Sequence, residues 1–194
     1  MNFLWKQIFI FDIILNNKFY YIKRKIMAVQ PNVTPLWIEA TFEEEGLDAR
    51  ALVTRTNRNG IITFASKAYR DMTKYSKNEL IGAPHSIVRH PFMPEAAFKD
   101  MWETIQSGEH WSGLVMNLRK DGKHYWVEVN VDPIDSNGNI VSEPEKIAGY
   151  IAIRREPTRE EIEEAFNLYK DVRKSELLAK SNLKDWEKEL LKRL

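Results

Sequence analysis

The sequence predicts an α+β domain: a five-stranded antiparallel sheet with short helices on one face, plus a C-terminal helix. Two observations predict it. Short runs rich in β-branched and aromatic residues come in the order two, then three, with one-sided helical patterns between them and after them. The turn signals Asn59-Gly60 and Asp121-Gly122 fall inside the first and second pairs of runs, where hairpins need them.

The elements follow in chain order. Residues 51–55 (ALVTR) and 61–64 (IITF) form a hairpin about the turn Asn57 to Gly60. Residues 66–75 place Ala68, Tyr69, Met72 and Tyr75 on one helical side. Ser76 and Glu79 have the spacing of a capping box before another short helix, and Gly82 can close it at C′. Pro94 opens a longer helix, 95–105, with Phe98, Met101, Trp102 and Ile105 on one face and Gly108 as its stop. Strands follow at 111–118, 124–132 and 147–154. In the second of these, alternation puts Tyr125, Val127 and Val129 on one side. Thr158 and Glu161 repeat the capping box and open a C-terminal helical segment, with stripes at Ile162, Ala165, Phe166, Tyr169, Val172 and at Leu183, Trp186, Leu190, Leu194. That segment serves either to pack on its own domain or as a dimerisation or signal-output helix; the pattern is not a clean heptad.

Four segments result: an extension at 1–26, a lead-in or cap at 27–50, the sheet domain at 51–156 and the helical segment at 157–194. The first 26 residues contain no Ala, Gly, Pro, Val, Ser, Thr or Glu, and their basic cluster Lys23-Arg24-Lys25 follows the apolar run. The run is too short and too charged for a spanning helix of ~20 apolar residues, and its charges lie on the wrong side for a signal peptide. Met27-Ala28-Val29 reads as a natural start, with an interfacial anchor as the rival reading.

The net charge of +1 offers no electrostatic case for nucleic acid as partner. The absence of Cys excludes disulfides, thiolate metal sites, cysteine nucleophiles and a cysteinyl-flavin adduct, and is in keeping with a cytosolic protein. Residues 81–94 (IGAPHSIVRHPFMP) hold three prolines, two of the four histidines and Arg89 beside Ile87 and Val88. Such a loop is either the wall of a ligand pocket or a proline-stiffened surface turn. No metal-ligand spacing, phosphate loop or nucleophile with a placed base is present, so an enzyme is not expected.

Taken together, Asn59 to Phe64, Leu80-Ile81-Gly82 with Pro84-His85, Val88 to Pro91, Met93-Pro94, Phe98 with Asp100 to Trp102, Trp111 to Gly113, Asn117, Arg119-Lys120, Tyr125 to Val127 and Gly149-Tyr150 resemble the PAS domain of the Aer-type aerotaxis and energy-taxis receptors. Short, separate CetB-like PAS proteins are the nearest likeness, over roughly residues 50–160. The resemblance implies a PAS fold, non-covalent FAD and redox or oxygen sensing. It implies that His85, Arg89, Trp102 and Asn117, with His90 beside them, stand where that family binds its flavin. The chemistry suits these types: Asn117 has donor and acceptor groups for the ring's N5–O4 edge, Arg89 and His90 can approach a diphosphate, and Trp102 can stack. Phe92, Ser66 and Leu118 depart from the residues usual there. Two other classes stay open: a haem-binding PAS sensor with His85, His90 or His124 as axial ligand, and a cofactor-free docking module.

About one helical segment follows the sheet domain, so the sequence leads us to expect signalling in trans. The resemblance points to a membrane-bound chemoreceptor with a cytoplasmic linker domain as partner; a homodimer through the helix stays open. The start at Met27 is checked by mass spectrometry of the native protein: a chain beginning at Ala28 or Met27 is expected, and an intact Met1 overturns it.

Overall fold

A computed structural model describes residues 33–48 and 50–194. The expectation for residues 1–26, and that part of the lead-in before residue 33, lie outside them. The sheet is built from β1 (Leu52–Asn57), β2 (Ile62–Ala65), β3 (Trp111–Leu118), β4 (His124–Ile134) and β5 (Gly149–Arg155). All pairings are antiparallel, in the order β2-β1-β5-β4-β3. The last strand to be made therefore lies at the centre, between the two hairpins. Gly149 opens it because a Cβ there would sit 2.1 Å from the Thr56 carbonyl oxygen of β1.

Between β2 and β3 lie α1 (Lys67–Thr73), α2 (Lys77–Leu80), a 3₁₀ turn at His85–Val88 and α3 (Glu95–Gln106). The Ser76–Glu79 capping box forms in both directions, and Gly82 takes a positive φ of 88° just past α2. Period-two alternation gives the sheet two faces. Thr54, Thr56, Val115, Asn117, Val129, Val131, Tyr150, Ala152 and Arg154 look inward, toward α3. Most are small or β-branched, so the helix does not pack flush on the sheet.

The loop holding Pro84 to Arg89 crosses this inner face. At one end Ile61 bridges Pro84 beside β2; at the other, Arg89 bridges Asn117 of β3. One loop thus touches both edges of the sheet and partly covers the backbone groups that an edge strand exposes.

The C-terminal segment forms α4 (Arg159–Leu178) and α5 (Asp185–Arg193). Of the two roles open to it, packing on its own domain is realised. Tyr169 stacks on Trp126 at 6.4 Å and donates its hydroxyl hydrogen to the Leu114 carbonyl at 2.9 Å. Trp126 lies on the side of β4 opposite Tyr125 and Val127, so α4 covers the reverse face of β3 and β4. Phe92, one of the departures noted above, stacks on Phe166 of α4 at 4.9 Å.

An ionic clasp fixes α4 to the start of α3. Pro94 has no side chain with which to cap α3, and the cap comes from elsewhere in the chain. The Glu176 carboxylate accepts hydrogen bonds from the Glu95 N–H at 3.0 Å and the Ala96 N–H at 2.8 Å. It also complements the positive end of the helix dipole. Arg173, 1% exposed, pairs with Glu176 at 2.8 Å and donates to the Pro91 carbonyl at 3.1 Å. Lys180 joins Glu95 to Glu187. Among the described residues no helix is long and apolar enough to cross a membrane.

Removing one partner of a buried pair leaves the other uncompensated, at a cost of about 3–5 kcal/mol. Arg173→Met is expected to lower unfolding stability by that amount, and Glu176→Ala by at least as much, since it also removes a cap worth about 0.5–2 kcal/mol. Urea denaturation checks both; an Arg173→Met protein as stable as the wild type overturns the clasp.

Candidate functional site

A cavity of about 180 Å³ lies between α3 and the inner face of the sheet. Phe98, Met101, Trp102 and Ile105 form one wall, and Val115, Val129, Val131 and Ala152 form the other. Trp102 stands edge-on to Tyr150, with ring centroids 5.5 Å apart. Its indole also lies against Gly60, where a Cβ would come within 3.0 Å, so the turn at φ +75° needs glycine twice over. The space is a slot bounded by apolar side chains on both broad sides.

Polar groups gather at its margins. Four of the five residues expected to bind a cofactor line it: His85, Arg89, Trp102 and Asn117. The fifth, His90, is not among the lining residues. It is fully buried beside Trp37 (5.1 Å) and His124 (5.8 Å), and its Nδ1 accepts the Phe92 N–H at 3.2 Å. That bond places the proton on Nε2, which has no partner among the described residues.

Arg89 spreads over the Phe98 ring at 4.2 Å and makes one weak contact, to the Met93 carbonyl at 3.4 Å. Burial and the nearby Arg173 charge pull its pKa down to about 10, against the opposing pull of Glu95 and Glu176. Asn117 is 4% exposed, and its side chain lies by the Tyr125 hydroxyl. Tyr125 and Tyr69 are both fully buried, and neither hydroxyl has a hydrogen-bond partner among the described residues. Burial pushes the Tyr69 pKa up to about 12 and raises that of Tyr125 further.

Arg154 was read from the sequence only as the end of a strand. It is 4% exposed and lines the same cavity. Its Nη2 donates to His85 Nε2 at 2.9 Å, and its Nη1 to Thr54 Oγ1 at 3.1 Å. A guanidinium can only donate, so His85 Nε2 accepts and the imidazole is neutral. Burial first, and the Arg154 charge second, hold the His85 pKa at about 3. Strand parity could have found Arg154, since it shares a face with Tyr150 and Ala152.

Comparison with known proteins agrees with this architecture. Residues 62–142 match the family model described as PAS fold. The aerotaxis receptor of Escherichia coli (strain K12) is 45% identical over 123 residues, covering 63% of this chain and 23% of that receptor. The biofilm dispersion protein BdlA of Pseudomonas aeruginosa is 26% identical over 43% of this chain and 20% of its own length. The chain thus spans less than a quarter of either relative. Among solved structures, the PAS domain of a Colwellia psychrerythraea protein aligns at 24% identity with a TM-score of 0.43, over 56% of this chain and 87% of that one. The sheet order and the family match are those of a PAS fold. In sequence the chain is similar to the part of the aerotaxis receptor that it covers.

The buried histidines make stability depend on pH. His85 and His90, each held at about 3, and His124, lowered mainly by burial, are neutral when folded but take up protons near pH 6.5 when unfolded. The unfolded chain then binds more protons, so stability is full above pH 6.5 and is lost as pH falls from there toward 3. His90 alone supplies a slope of up to about 1.4 kcal/mol per pH unit in that window. Urea midpoints should drop clearly between pH 7.5 and pH 5.5; a flat profile overturns burial of these rings in neutral form.

Proposed function

We propose that the cavity holds the isoalloxazine ring of a non-covalent FAD, and that the domain senses redox state or oxygen for aerotaxis or energy taxis. One observation carries this reading. A slot with apolar walls has two guanidinium groups and two amides, Asn59 and Asn117, in its lining and no carboxylate among the described residues that line it. A flat aromatic ring with one polar edge and a phosphate tail calls for that arrangement. Pockets that bury most of a ligand run to ~300–1,000 Å³, so this cavity would enclose no more than the ring, and Arg89 would be the residue to meet a diphosphate outside it. The similarity to an aerotaxis receptor supports the same reading.

Bound flavin supplies reversible electron transfer coupled to a proton at N5. The chain's part is to register that proton. Asn117 can offer its carbonyl to a protonated neighbour or its amide to an unprotonated one. A turn of that amide changes its relation to the Tyr125 hydroxyl beside it. Three residues along β3 from Asn117, the Leu114 carbonyl takes the Tyr169 hydroxyl of α4. Output then passes through α4 and α5 to a membrane-bound chemoreceptor or its linker domain, as a shift between two arrangements. The role is sensing, with no catalysis assigned to the cavity.

A haem reading is disfavoured by geometry: His85, the histidine that lines the cavity, has Nε2 turned to the Arg154 cation. A cofactor-free docking module is favoured by Phe64 (47% exposed) and Ile153 (43%) on the outer face of the sheet.

Purified protein is expected to show the two-banded visible absorbance of flavin; a Soret band, or no visible band, overturns the proposal. Trp102→Ala should lose flavin while remaining folded, and Asn117→Ala should retain it with altered redox behaviour. Co-purification with candidate membrane receptors should differ between oxidised and reduced protein; no binding in either state overturns the receptor route.

A further inference from the structure

Three arginines are almost wholly buried: Arg119 (2% exposed), Arg173 (1%) and Arg154 (4%). Two of them show what this fold does with a buried cation. Arg119 pairs with Glu45 and Asp121, both at 2.6 Å. Arg173 pairs with Glu176 and Glu95. Arg154 has no ion pair among the described residues. Its partners are the neutral His85, the Thr54 hydroxyl and, at longer range, the Leu52 and Ala152 carbonyls. The Tyr69 ring lies 5.1 Å from the guanidinium carbon. No Asp or Glu lines the cavity it faces, and the other cation there, Arg89, is also without an ion pair among the described residues.

An uncompensated buried charge is costly, and a protein relieves the cost by pairing it. Here the free side of the pair is the cavity. We infer that Arg154, oriented by His85 and Thr54, receives negative charge on the bound ring, and that it does so when the ring is reduced. This rests on the flavin reading above and names the group that tunes it. The balance is simple. The oxidised ring takes two electrons from a lower-potential donor and one proton at N5. It is left with one negative charge, shared over the N1–C2=O edge. Arg154 meets that charge with no change of its own protonation. His85 acts as a positioning residue, because its lone pair at Nε2 fixes the guanidinium.

The placement is consistent with Asn117 at the neighbouring N5–O4 edge. Asn117 and Arg154 both line the cavity, and Tyr125, which does not, lies by Asn117 and feels the Arg154 charge. The cavity thus carries a group for the proton and a group for the charge. A cation near N1 stabilises the reduced form over the oxidised one and so raises the potential.

The test compares wild type with Arg154→Met and Arg154→Gln, two neutral variants of which the second can still donate to His85. Three readouts are taken: affinity of apoprotein for oxidised FAD and for riboflavin, midpoint potential by dithionite titration, and urea stability of apoprotein. The expected result is a loss of affinity for oxidised FAD no larger than that for riboflavin, and a larger loss for the reduced ring. The ratio of reduced to oxidised affinity should fall at least tenfold, which lowers the two-electron potential by about 30 mV. Apoprotein stability in urea reads out separately what the lost hydrogen bonds to His85, Thr54 and the Leu52 and Ala152 carbonyls cost. An unchanged potential overturns the inference while leaving flavin binding intact. Loss of FAD affinity with riboflavin affinity kept overturns it differently, by showing that Arg154 meets phosphate. Wild-type protein that binds neither flavin removes the flavin reading and this inference together.

Discussion

Two backbone bridges hold this structure in its working shape: Ile61 to Pro84 at one edge of the sheet, and Arg89 to Asn117 at the other. Neither is strong, since a single peptide hydrogen bond contributes only about 0.5–1.5 kcal/mol net. Their effect is geometric. They require the loop to pass over the inner face, and the loop in turn holds His85 and Arg89 above that face. Without the bridges, β2 and β3 would be open edges and the cavity would have no roof. The prolines at 84, 91 and 94 suit this task, because a loop that must span a gap loses less entropy if its φ angles are already restricted.

Electrostatics divide the molecule into two regimes. At the surface and in the clasp, cations and carboxylates are matched. Around the cavity they are not, and what compensates is aromatic: Phe98 under Arg89 and Tyr69 beside Arg154. A ring quadrupole offsets only part of a buried charge. The apoprotein therefore carries an electrostatic cost in the region where a ligand can relieve it, which gives selectivity for ligands with negative character over neutral ones of similar shape.

Much of this was legible in the residues. β3 falls at Trp111–Leu118, as its pattern indicates, because the helix stop at Gly108 before it and the Asp121-Gly122 turn after it fix both ends. Both capping boxes form, since they depend on residues three apart and on nothing else. Fold class and four cavity residues followed from the same local signals and from family resemblance. What escaped was set by distant parts of the chain. His90 sits five residues from His85 and one from Arg89, yet it turns away from the cavity because Trp37 and His124 enclose it. Nothing local marks Glu176 as the cap of a helix 81 residues earlier. Arg154 was hidden by its type: a charged residue at a strand end reads as solvent-facing unless its parity is compared with Tyr150 and Ala152.

The borrowed cap on α3 has a consequence for where this module ends. β5 closes the sheet at Arg155, and a boundary drawn there would look natural. Yet the wall of the cavity begins at a helix whose first two amides are satisfied only by Glu176, on α4. The sheet and the tail are therefore not separable parts. Any binding partner that drew α4 away would uncap the cavity wall and weaken its hold on the ligand. By thermodynamic reciprocity, a ligand that tightened the wall would hold α4 back from that partner by the same factor. An internal guest and an external one, were both to bind, would compete through a single carboxylate.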